Sequence, residues 1–307
     1  MATVGLFGLG NMGAAIASRL APTGEAIAFD PDQARRAAAR EASGIDVATE
    51  PADAVADIVV LSLPNPAVSR SVVEQIASVP GRCRLVIETS TVNPSDAVEL
   101  SALAGSAGCA FIDAAILSGV SQMYAGTATL LLGGAEADIA AAEPILRAIS
   151  ARQQRFGPVG AGMAAKVINN AVAHAVMVVL AEAGALAVAT GVDGHDLAGL
   201  LTGPDAGLTR PLTHRYVERI LTSSYDGGMP TEAARKDSTL ALALAQQTGV
   251  PLFAIQAAHS VYEIGVGAGL ARHDYAAIAT LWEQWTGRPM ASTPAVSPSP
   301  SNKESEQ

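Results

Sequence analysis

The 307-residue sequence predicts an α/β domain with a doubly wound parallel sheet, followed by an all-α C-terminal domain. Three observations carry this expectation. Short apolar runs recur at residues 3–7, 26–29, 57–63, 84–88, 111–114 and 128–132, with Ala-rich, charged helical stretches between most of them. Runs that are apolar on both faces fit a parallel sheet covered on both sides. A glycine pattern stands between the first run and the first helical stretch. After Gly160 the period changes: long helical repeats dominate and no convincing strand is visible. The expected division is residues 1–161 for the α/β domain, 162–290 for the helical domain, and 291–307 for a tail. That tail is Pro, Ser and charge, a composition that cannot bury a core and is expected to be disordered.

The first run leads into Gly8-Leu9-Gly10-Asn11-Met12-Gly13, which opens a helix expected over 11–20. In this strand–turn–helix context the pattern marks a Rossmann-type dinucleotide site. Gly8 allows the tight turn, Gly10 lets the backbone approach a pyrophosphate, and Gly13 lets helix and strand pack closely. The helix N-terminus then favours the phosphate charge. Asp30 ends the second run, 20 positions after Gly10, where an acid can hold ribose hydroxyls. A carboxylate there repels the extra phosphate of NADP, so NAD is the first choice. Arg35 and Arg36, one turn on, could attract that phosphate but read better as solvated helix residues.

The run at 57–63 ends in Leu63-Pro64, where proline stops the strand and begins a loop. Ligands of such sheets bind beyond the strand C-termini, so Leu63 and Pro64 are expected to face the cofactor. The run at 84–88 repeats the logic with Glu88-Thr89-Ser90-Thr91-Val92-Asn93-Pro94. Its hydroxyls can bond a nicotinamide or cap the next helix. Cys83 and Cys109 lie just ahead of two runs and read as buried thiols rather than a disulfide. They fit a reducing cytoplasm. No leader is expected, since the chain goes straight into a strand at Thr3.

The helical half opens with Gly160-x-Gly162-x-x-x-Lys166-x-x-Asn169-Asn170. Alone, such a lysine is an ordinary solvated residue. Four positions apart, Lys166 and Asn170 put an amine and an amide on one helix face. Against a nicotinamide, that pair could move a proton and orient a hydroxyl. The apolar run at 171–190 raises the question of a membrane span. His174 and Glu182 interrupt it, so a buried helix is favoured, one that also packs a partner subunit in a homodimer or homotetramer. The net charge of −10 argues against nucleic acid. The histidines at 174, 195, 214, 259 and 273 lack ligand spacing, so no metal is expected. His174 reads as a helix-buried, hydrogen-bonded residue. Arg210 and Arg215 read as structural or subunit-contact residues in preference to a substrate clamp.

The order of these motifs resembles the β-hydroxyacid dehydrogenase family over roughly residues 2 to 285. The resemblance rests on GLGNMG at 8–13, LP at 63–64, STVNP at 90–94, Asp113 through Ala125-Gly126-Thr127, the Lys166–Asn170 segment and Lys236-Asp237. It implies Lys166 as the catalytic acid/base, Asn170 as a substrate ligand, Thr91 beside the nicotinamide, and Lys236 closing the site from the helical domain. The family's substrate loop usually reads D-A-P-V-S-G-G. Here it reads Asp113-Ala114-Ala115-Ile116-Leu117-Ser118-Gly119, with Leu117 in the place of the serine. Ser118 and Gly119 are then the expected holders of the substrate carboxylate. Met229 stands where an aromatic is expected.

The implied reaction interconverts a β-hydroxy acid and its oxo acid or semialdehyde. Hydride leaves the carbinol carbon for the nicotinamide, while neutral Lys166 takes the hydroxyl proton. Burial beside Lys236 is expected to lower the lysine pKa. Imine reductases share the architecture but lack the lysine. Imine or other carbonyl reduction and a non-catalytic NAD-binding sensor are the alternatives.

Overall fold

In the computed structural model, residues 2–79 and 81–291 are described. The chain divides into two compact units at Val172 and Ala173. The expected tail lies, apart from Ala291, outside the described residues.

The first unit is built on eight strands: β1 (Val4–Phe7), β2 (Ala26–Phe29), β3 (Asp46–Val47), β4 (Ile58–Leu61), β5 (Leu85–Glu88), β6 (Ala110–Leu117), β7 (Thr129–Gly133) and β8 (Arg152–Gly157). Their order across the sheet is β3-β2-β1-β4-β5-β6-β7-β8. Strands β1 to β6 run parallel. β7 pairs antiparallel with β6, and β8 follows β7, so the sheet is mostly rather than wholly parallel.

Alternation along each strand feeds two cores. Val4, Leu6, Ile58, Val60, Leu85 and Ile87 pack on one face, beneath α1 (Asn11–Leu20) and α6 (Glu136–Ile149). Phe7, Val59, Leu61 and Val86 pack on the other, beneath α3 (Pro66–Ala77) and α4 (Pro94–Ser106). Each large side chain sealed this way contributes about 1.5–3 kcal/mol, which is why both faces read as apolar. The remaining helices of this unit are α2 (Gln33–Ser43) and the short α5 (Val120–Tyr124).

Two strands escape the apolar-run reading. β3 is only two residues long, and β8 has the polar sequence RQQRFG at the edge of the sheet. An edge strand needs no second apolar face, so its sequence carries little trace of the pairing. β6 also continues to Leu117, beyond the expected 111–114.

The helix α7 (Ala161–Thr190) is shared by both units. The second unit adds α8 (Gly194–Thr202), a π-helical stretch at Pro211–Ile220, α9 (Thr231–Thr248), α10 (Ala254–Gly267) and α11 (Ala279–Thr286). Among its described residues there is no strand beyond the isolated bridge Pro230–Asp274. Two polar braces hold this unit. Glu182 accepts the backbone N–H groups of Phe253, Ala254 and Ile255, capping the first turn of α10. Arg215 pairs with fully buried Asp274 at 3.1 Å and lies over the Tyr275 ring. The structural reading of Arg215 therefore holds, and Arg210 pairs on the surface with Asp205.

The expectation of a buried α7 is corrected. Ile168 is 63% exposed, Met177 61% and Val188 82%, and His174 is exposed as well. Apolarity along the helix predicts that something covers it, but much of that surface lies outside both cores of the single chain. By length and hydropathy alone it also meets the requirement for a membrane span. The acidic brace at Glu182 in its middle fits a protein environment better. Cys83 and Cys109 are both free and buried, as expected, with Cys109 Sγ donating to the Cys83 carbonyl oxygen.

Candidate active site

The glycine turn after β1 is built by contact. Gly8 has φ +98°, and a Cβ there would stand 2.1 Å from the Ser62 carbonyl oxygen. A Cβ on Gly13 would stand 2.0 Å from the Gly8 oxygen, whereas one on Gly10 would meet nothing within 4 Å. Two glycines thus close the turn, and the third faces open space. Gly10 is also the N-cap of α1 and offers no side-chain acceptor. The first-turn N–H groups of α1 have no capping side chain, which suits a ligand phosphate.

A groove of about 400 Å³ lies over this turn, bordered also by Asn11, Met12, Asp30, Leu63 and Pro64. Its lining fits a dinucleotide: bare backbone where a pyrophosphate lies and an acid where a ribose lies. Leu9 is turned inward. Its side chain is buried, and its N–H donates to Asp30 Oδ2 at 2.8 Å. Asp30 Oδ1 accepts from Asp32 N at 2.9 Å, so the carboxylate is held rigidly at the groove. Arg35 also lines the groove, with Nη1 3.7 Å from Asp30 Oδ2.

The loops after β4 and β5 are tied to each other. Leu63 N donates to Ser90 Oγ at 2.8 Å, and Ser90 N donates to Glu88 Oε1 at 2.7 Å. These bonds set Thr91 at the C-terminal edge of the sheet. Lys166 Nζ donates to Thr91 Oγ1 at 2.8 Å. No sequence pattern pairs these two residues, which are 75 positions apart. Burial holds the Lys166 pKa below the ordinary lysine value of 10.5. That burial is the sole cause; Lys236, an exposed residue of α9, pairs with its neighbour Asp237 at 3.2 Å.

In the sequence Asp113 is only part of a motif, and its position in the fold adds to this. Fully buried at the middle of β6, it accepts Gly160 N at 2.6 Å and Met163 N at 2.8 Å. It therefore fixes the first turn of α7, three residues before Lys166. A Cβ on Gly162 would stand 2.8 Å from Asp113 Oδ2 and 2.2 Å from the Leu131 oxygen, so only glycine permits this approach.

The departure at Leu117 has a structural counterpart. Leu117 lines a separate apolar groove of about 570 Å³ with Ala161, Ala164, Ala165 and Ile168. At about 100° per residue, those α7 positions lie on the side roughly opposite Lys166 and Asn170. Ser118 Oγ is buried without a hydrogen-bond partner among the described residues. Gly119 is the exposed residue that follows it. Asn170 is half-buried and bonds Asn169 weakly, at 3.4 Å.

A dinucleotide groove beside a hydrogen-bonded lysine defines a nicotinamide-dependent oxidoreductase. Two family models match: the NAD-binding domain of 6-phosphogluconate dehydrogenase over residues 3–172, and the NAD-binding region of NADP-dependent 3-hydroxyisobutyrate dehydrogenase over 160–282. The chain belongs to the β-hydroxyacid dehydrogenase family, in its 3-hydroxyisobutyrate dehydrogenase-like branch, and is an NAD(P)-dependent enzyme. It is 30% identical over 290 residues to 2-(hydroxymethyl)glutarate dehydrogenase of Eubacterium barkeri, spanning 92% of this chain and 96% of that one. It is 32% identical over 257 residues to a probable 3-hydroxyisobutyrate dehydrogenase of Mycobacterium tuberculosis, spanning 81% and 87%. The solved M. tuberculosis 3-hydroxyisobutyrate dehydrogenase with L-serine superposes with a TM-score of 0.63 at 30% identity, covering 92% of this chain and 99% of that one. An imine reductase from Myxococcus stipitatus reaches a TM-score of 0.81 at 21% identity, with 92% and 99% covered, which shows a shared fold.

Proposed function

We propose that the protein oxidises a small β-hydroxy acid reversibly, with Lys166 as general acid/base. The observation that carries this reading is the Lys166–Thr91 hydrogen bond at 2.8 Å, made by an amine whose pKa burial lowers. A lowered pKa leaves more neutral amine at working pH, the form that accepts a hydroxyl proton. In the reverse direction the ammonium returns that proton to the carbonyl oxygen. Thr91 holds the amine in place. Asn170, one turn further along α7, orients the reacting hydroxyl. Ser118 and Gly119 hold the substrate carboxylate, the Ser118 hydroxyl having no partner of its own among the described residues. Leu117 faces its own groove and leaves this role to Ser118. The helical domain, which carries Lys236, also serves for dimerisation. A bound nicotinamide would supply the hydride acceptor. Gly8, Gly10, Asn11, Met12, Gly13, Leu63, Pro64 and Thr91 hold that cofactor, with Leu9 shaping the turn.

NAD is the preferred cofactor in this reading, because Asp30 is a fixed carboxylate at the ribose end of the groove. Titration of the wild-type chain should give tighter binding of NAD than of NADP. Asp30→Ser should weaken NAD about tenfold, or about 1.4 kcal/mol, and narrow the difference between the two. Tighter binding of NADP by the wild type would assign Arg35 the phosphate and overturn the preference.

The exposed apolar flank of α7 is the contact of a homodimer or larger assembly. Sedimentation at micromolar concentration should give at least a dimer; a monomer would contradict this. The two free, buried thiols and the acidic surface fit a cytoplasmic enzyme.

A further inference from the structure

Glu88 is a fully buried acid at the C-terminal end of β5 that the proposed chemistry leaves unused. It ends β5, in register with Leu61 of β4 on one side and Asp113 of β6 on the other. Its Oε1 accepts the N–H of Ser90, one residue before Thr91. Its Oε2 is sealed without an aligned partner, and so is Ser69 Oγ of α3, which faces it. An ionised carboxylate in that setting would bury a charge beside a second carboxylate, with one oxygen bonded to Ser90 N–H and the other without an aligned donor. A protonated one turns Oε2 into a donor that the Ser69 hydroxyl can accept.

We propose that Glu88 is a positioning residue for Lys166: through the Ser90 backbone it braces the 89–91 loop and so holds Thr91 against the lysine amine. The brace is one of a pair. Asp113 fixes the α7 side of the Lys166–Thr91 contact through Gly160 and Met163, and Glu88 fixes the loop side. The two acids are neighbours in register, so each end of a hydrogen bond 75 residues long in sequence is anchored on adjacent strands.

The charged group acting on Glu88 is Asp113; β4 presents Leu61, α3 presents Ser69, and the loop presents Ser90. Burial raises the Glu88 pKa and Asp113 adds to the rise, while the Ser90 hydrogen bond and the nearby Ser69 hydroxyl oppose it. The group is therefore neutral over a wider pH range in the folded chain than in the unfolded one. A raised folded pKa gives stability that is present at low pH and lost as pH rises through that pKa.

This inference rests on the assignment of Lys166 as acid/base, and its test separates the two. The full-length wild type, Glu88→Gln and Glu88→Ala are compared by three readouts. The first is the pH dependence of Lys166 acylation by acetic anhydride, measured by peptide mass. The second is kcat and KM, and the third is Tm against pH. Glu88→Gln keeps the neutral hydrogen-bonding shape. It should keep kcat within about threefold and the Lys166 acylation midpoint, and it should lose the fall in Tm with rising pH that ionisation of Glu88 causes. Glu88→Ala frees the loop. The Lys166 midpoint should move and kcat should fall about tenfold or more with KM little changed, because small misplacements of a reacting group are costly. If Glu88→Ala lowers Tm but leaves both the midpoint and kcat unchanged, Glu88 is merely structural and the proposal fails. If the midpoint moves in a chain that turns over no hydroxy acid, the positioning role stands and the proposed reaction fails.

Discussion

Lys166→Ala should lower kcat by about 10² to 10⁴, the range that general acid/base groups supply, while NAD binding stays nearly intact. The separation follows from geometry. The glycine turn and Asp30 form the groove, whereas Lys166 Nζ bonds Thr91 at the end of another strand. Lys166→Arg should fail as well, because a guanidinium does not deprotonate at working pH. In the wild type, the oxidation rate should rise with pH as the amine loses its proton. The midpoint should lie below 10.5, since burial lowers the Lys166 pKa. If Lys166 only attracts the substrate carboxylate, the arginine variant keeps substantial activity and the pH profile does not change.

Asp113→Ala should be the most damaging change to the framework of the site. Its two oxygens accept the N–H groups of Gly160 and Met163 in a fully buried position. Each buried donor left without an acceptor costs roughly 1–3 kcal/mol, so a loss of about 2–6 kcal/mol is expected. Chemical denaturation of wild type and variant measures it, read as a shift in midpoint. Because α7 carries Lys166 three residues beyond Met163, residual kcat should fall even at temperatures where the variant remains folded. A variant with unchanged midpoint and full activity would show that water replaces the carboxylate and that the brace is dispensable.

What could be read from the sequence tracks how local each feature is. The glycine turn, Asp30 and the Leu63-Pro64 stop all lie at strand ends whose apolar runs announce them. Lys166 and Asn170 are legible as a spacing on one helix. Asp113 as a brace is not legible, because its partners lie 47 and 50 positions away and nothing in a DAA sequence marks a carboxylate that caps a distant helix. β8 is silent for the opposite reason: RQQRFG is polar, and its strand character comes wholly from pairing with β7. For α7, apolarity was legible but its surroundings were not. A hydrophobic helix reads alike whether its own chain or another covers it, and here the single chain leaves Ile168 and Val188 exposed.

The most direct test of the central claim is hydride transfer itself. The purified chain is given NAD and a panel of β-hydroxy acids that includes 3-hydroxyisobutyrate, glycerate, threonate and longer or aromatic members. Reduction of the nicotinamide is followed together with the organic product. We expect at least one member to yield reduced cofactor and its oxo acid or semialdehyde in equal amounts, and Lys166→Ala to bind the same cofactor without producing either. A chain that binds NAD in its groove yet reduces none with any member of the panel, or that turns over equally well without Lys166, would contradict the account.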